Sequence, residues 1–179
     1  MKPRSSTGRR SQYPLPDRAA LWTSIFSGRP PENEPFVNKD WELFLLPHEL
    51  RMQEADFRCL RRAAGKVGDS DLLVSAEGGG LLVALSTYAE LLTLAGNPVA
   101  MNEVVYIFGR SGTWGMLCTH GDFSVLGGVE TFMNEYAFAR EGRDSFRRNF
   151  LDWIRSPGWF VPTHITKKLL TIANWSERP

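Results

Sequence analysis

Residues 104–128 read Val104-Val105-Tyr106-Ile107-Phe108, Gly109-Arg110-Ser111-Gly112-Thr113, Trp114-Gly115-Met116-Leu117-Cys118-Thr119, His120-Gly121-Asp122, Phe123-Ser124-Val125-Leu126-Gly127-Gly128. Three apolar runs alternate with two clusters of Gly, Ser, His and Asp. β-Branched and aromatic side chains suit a pleated surface, and glycine supplies the backbone freedom a reversal needs. Strands joined so tightly must pair antiparallel, because parallel pairs need long crossovers. The stretch therefore predicts a meander of strands over Val104–Phe108, Trp114–Thr119 and Phe123–Leu126, with Gly127-Gly128 ending the last one.

Working outward, Leu72–Ala76 and Leu81–Leu85 flank Glu77-Gly78-Gly79-Gly80 and predict a β-hairpin. Trp41–Leu46, stopped by Pro47, reads as a further strand. Helical periodicity surrounds these strands. Asp17 is placed to cap a helix carrying Leu21, Trp22 and Ile25, which Gly28 and Pro30-Pro31 stop. Gln53–Val67 aligns Phe57, Leu60, Ala64 and Val67 on one stripe. Thr87 and Glu90 have capping-box spacing for a helix ending at Gly96. Val129, Phe132, Met133, Tyr136 and Ala137 share one face of a helix that Gly142 breaks. Asp144 then stands where it can cap another, with Phe146, Phe150, Trp153 and Ile154 inward, and Thr163 opens a last one bearing Ile165, Leu169, Ile172 and Ala173. The expected fold class is α+β: an antiparallel sheet, hairpin plus three-strand meander, flanked by N-terminal and C-terminal helices. Residues 17–179 form the expected single globular domain, and residues 1–16, with Lys2, Arg4, Arg9 and Arg10, a flexible basic arm.

Composition narrows the function. The chain has 179 residues, 42% of them hydrophobic, and a net charge of +1. Near-neutrality does not point to nucleic acid as a partner. No apolar run follows the N-terminal arginines as a signal peptide requires. Leu81–Ala95 is too short and too interrupted by Ser86, Thr87, Glu90 and Thr93 to span a bilayer. A cytoplasmic, soluble protein with no membrane partner is expected, its two cysteines, Cys59 and Cys118, being free thiols.

Catalytic patterns are sparse. The glycines at 78–80 lack the Lys-Ser or Lys-Thr of a phosphate loop. Cys118, His120 and Asp122 are the right residue types for nucleophilic catalysis, but a cysteine inside an apolar strand has its thiolate disfavoured by burial. His48, His120 and His164 include no helical i, i+4 pair, and there is no CxxC, so no metal or cofactor is expected. Arg58, Arg61 and Arg62 read as a solvated helix face, and Glu130 and Glu135 as residues flanking an apolar stripe. Most of the aromatic residues fall in strands or on helix stripes and read as core.

Val105-Tyr106-Ile107-Phe108, Ser111-Gly112-Thr113-Trp114-Gly115, Asp122-Phe123-Ser124-Val125-Leu126-Gly127-Gly128 and Phe132-Met133 together resemble a pattern in immunity proteins of bacterial polymorphic toxin systems. The resemblance covers residues 104–136, about a fifth of the chain. It implies a non-enzymatic protein that binds one cognate toxin as a heterodimer and occludes the toxin's active site. No apolar stripe is obviously surplus to the core, so a monomer is expected when alone. Turn tips project from a rigid sheet, so Arg110, His120 and Asp122 are the expected partner-binding residues. A general adaptor domain, or an enzyme using Cys118, are the alternatives.

Overall fold

The computed structural model describes residues 18–28, 34–47, 50, 52–76, 83–97, 104–119, 123–140, 142–156 and 163–172. In chain order the elements are α1 (Arg18–Ile25), β1 (Glu42–Leu46), α2 (Glu54–Lys66), β2 (Leu72–Ala76), β3 (Val83–Leu85), α3 (Tyr88–Ala95), β4 (Val105–Phe108), β5 (Trp114–Cys118), β6 (Ser124–Gly128), α4 (Glu130–Ala139), α5 (Arg143–Ile154) and α6 (Thr163–Ile172). The six strands form one sheet in the order β1-β6-β5-β4-β2-β3, and every neighbouring pair is antiparallel. The class is α+β. The meander β4-β5-β6 forms the centre, the β2–β3 hairpin adds to β4, and β1 closes the far side against β6. The expected arm at residues 1–16, the capping residue Asp17 and the hairpin loop 77–80 lie outside the described residues.

Strand residues alternate between two cores. Phe44, Leu72, Val74, Val105, Ile107, Trp114, Met116 and Leu126 face one layer, built with α2, α3 and α4. Leu45, Leu73, Tyr106, Phe108, Leu117 and Val125 face the other, with α1, α5 and α6. Both faces are therefore buried, which is why the central strands read as near-continuous apolar runs rather than half-polar ones. Helix α5 serves both layers at the β1 edge. Its Phe146 stacks on Phe44 at 4.8 Å, while Phe150 and Leu151 reach the opposite core. Arg143 donates two 2.7 Å bonds to the carboxylate of Glu42 at the start of β1. The capping box of α3 forms as its spacing predicts, with Thr87 accepting from the Glu90 amide and Glu90 from the Thr87 amide.

Two local expectations are corrected. Strand β6 does not stop at Leu126 but runs on through Gly127 and Gly128, which pair with Leu43 and Glu42 of β1 and with Gly115 and Trp114 of β5. They are glycine because neighbours press close. A Cβ on Gly127 would stand 2.6 Å from the Phe36 ring, and one on Gly128 2.9 Å from Trp114 Cβ. Helix α5 is capped by Gly142 at φ +94°, not by Asp144, which lies within the first turn, where its charge suits the helix dipole.

Candidate functional site

The β4–β5 turn is tied to the end of α2. Asp69, three residues past α2, is 6% exposed. Its Oδ2 accepts from Ser111 Oγ at 2.7 Å and from Trp114 Nε1 at 2.9 Å, and its Oδ1 accepts from the Ser111 amide at 2.9 Å. Because the Ser111 hydroxyl proton goes to Asp69, Thr113 is the donor in its 2.8 Å contact with Ser111 Oγ. Gly112, at φ +68°, completes the reversal. Gly109 leaves room for the carboxylate, since a Cβ there would lie only 1.8 Å from Asp69 Oδ2. Trp114, fully buried, stacks on Phe132 of α4 with ring centroids 4.7 Å apart. One aspartate thus joins a helix end, a hairpin turn and a core tryptophan.

Arg110 is exposed on this turn, as expected of a turn tip. The other predicted contacts, His120 and Asp122, lie outside the described residues. Their flanks, Thr119 and Phe123, are joined by two bonds to the Phe123 carbonyl, from the Thr119 amide at 3.1 Å and its hydroxyl at 2.9 Å. Thr119 follows β5 at the end opposite to Arg110. A five-residue strand separates its ends by about 13 Å. Arg110 and the flanks Thr119 and Phe123 therefore lie at opposite ends of β5. Cys118 is 2% exposed and faces the α2–α4 layer.

A second polar cluster lies where α2 packs antiparallel on α4. Asp56, 3% exposed in the first turn of α2, has its Oδ1 2.8 Å from Arg140 Nη2 just past α4. The ion-pair distance is short, yet the atoms are poorly aligned for hydrogen bonding, and both Asp56 Oδ1 and Arg140 Nε lack a hydrogen-bond partner. The half-buried Cys59 thiol donates to the Ala139 carbonyl at 3.3 Å. Burial pushes the Cys59 pKa up, the nearby Arg140 charge opposing, so the thiol rather than the thiolate prevails at neutral pH. Burial likewise drives the Tyr136 phenol far above its ordinary range. Further along the seam Arg62 pairs with Glu135, and its guanidinium lies 5.5 Å from the ring centre of Phe138. Phe138 is 73% exposed.

No protein-family model, curated protein or solved structure matches this chain. Among the described residues no three His, Cys, Asp or Glu side chains gather as a metal site requires, and no helix is long and apolar enough to cross a membrane.

Sequence reasoning missed Asp69, Asp56 and Phe138. The Asp69 partners are 42 and 45 residues away, beyond any local spacing rule. Phe138 did leave a signal. It falls off the stripe of Phe132, Met133, Tyr136 and Ala137, so an apolar residue stands on the polar side of its helix.

Proposed function

We propose that this protein is an immunity protein, which binds one cognate bacterial toxin and occludes the toxin's active site. One observation carries the reading. Three of the pieces that bear the resemblance touch one another on one face of the sheet. Ser111 and Trp114 share Asp69, Trp114 stacks on Phe132, and a Cβ on Gly128 would stand 2.9 Å from Trp114 Cβ and 3.1 Å from the Phe132 ring. These contacts fit a signature that encodes a scaffold, and the scaffold is what the resemblance rests on.

Inhibition by occlusion asks for rigidity and surface rather than reactive groups. The Asp69 clamp fixes the hairpin to the helical layer, so residues displayed on either are held in place before the partner arrives, which lowers the ordering cost of binding. Both thiols are held in forms that suit structure: Cys118 is buried and Cys59 is kept protonated and bonded. In this reading the protein is a cytoplasmic monomer that needs no cofactor and forms a heterodimer with its toxin.

Co-expression tests it. A protein retained stoichiometrically by the tagged full chain from its native cells should arrest growth when produced alone and be silenced when this chain is produced with it. Several weakly retained proteins, none of them toxic, would move the assignment to a general adaptor.

A further inference from the structure

We draw no further inference here: the strongest candidate, the sheet edge at β3, which among the described residues pairs with β2 alone and carries the exposed Ala84, has an outer side for which nothing in the structure shows what covers it.

Discussion

Asp56 and Asp69 bracket the same helix, one in the first turn of α2 and one just past its end, and both are buried, at 3% and 6% exposure. Their surroundings are opposite. Among the described residues Asp69 meets no cation: three neutral donors, two from Ser111 and one from Trp114, bond its carboxylate at 2.7–2.9 Å. Asp56 meets a full charge in Arg140 at 2.8 Å, but with one oxygen left without a hydrogen bond. A buried carboxylate is stabilised by the number and alignment of its donors more than by the formal charge opposite it. The Asp69 site is the stronger joint although it contains no ion pair.

Removing Asp69 gives the largest expected effect. Asp69→Ala strands the Trp114 indole N–H and the Ser111 amide, and should cost about 3–5 kcal/mol of stability in urea unfolding. The loss should be visible as a shift of tryptophan fluorescence, because Trp114 sits at the joint. A smaller loss than that of Asp56→Ala would reverse the comparison.

Gly109→Ala breaks the same joint without removing any polar group. The added methyl would occupy space held by Asp69 Oδ2 and Trp114 Nε1, at 1.8 and 2.4 Å from its carbon. The turn has to shift, at an expected cost of about 1–3 kcal/mol. A neutral outcome would show that the turn is looser than the clamp requires.

Much of the fold was legible because its signals are local. The meander announced itself through glycine-rich turns between apolar runs, and the α4 stripe through strict spacing. What failed to show has a common cause. Gly127 and Gly128 read as a stop because their reason, the Phe36 ring and Trp114, comes from other elements. Asp69 drew no reading at all, since its partners belong to a hairpin 42 residues on. Of the expected contact residues, Arg110 is at an exposed tip as predicted, while the arginines of α2, read as a solvated face, flank the one strongly exposed aromatic of the described chain.

At Asp56 the comparison makes a different prediction. Arg140 keeps about a third of its side chain in solvent, so it can turn outward when its partner goes. Asp56→Ala should therefore cost only about 1–2 kcal/mol, including the lost charge at the α2 N-terminus. Replacing the pair by apolar residues, Asp56→Leu with Arg140→Met, should recover most of that loss, because a misaligned buried pair gives little to begin with. No such rescue is available to Asp69, whose donors include a backbone amide that no apolar side chain replaces. A double variant less stable than Asp56→Ala would mean that the pair is better satisfied than its geometry indicates.

The smallest effect on stability is expected at Phe138. Its ring buries little area against its own fold, and the Arg62 contact over it is an exposed cation–π pair worth about 0.5–1 kcal/mol at most. Phe138→Ser should leave the urea midpoint nearly where it was, within about 0.5 kcal/mol of wild type. Such a side chain places an aromatic ring in water beside Arg62 and contributes little to folding. A large loss of stability on Phe138→Ser would instead make it a packing residue and remove the contrast between an exposed ring that holds little and a buried clamp that joins three elements.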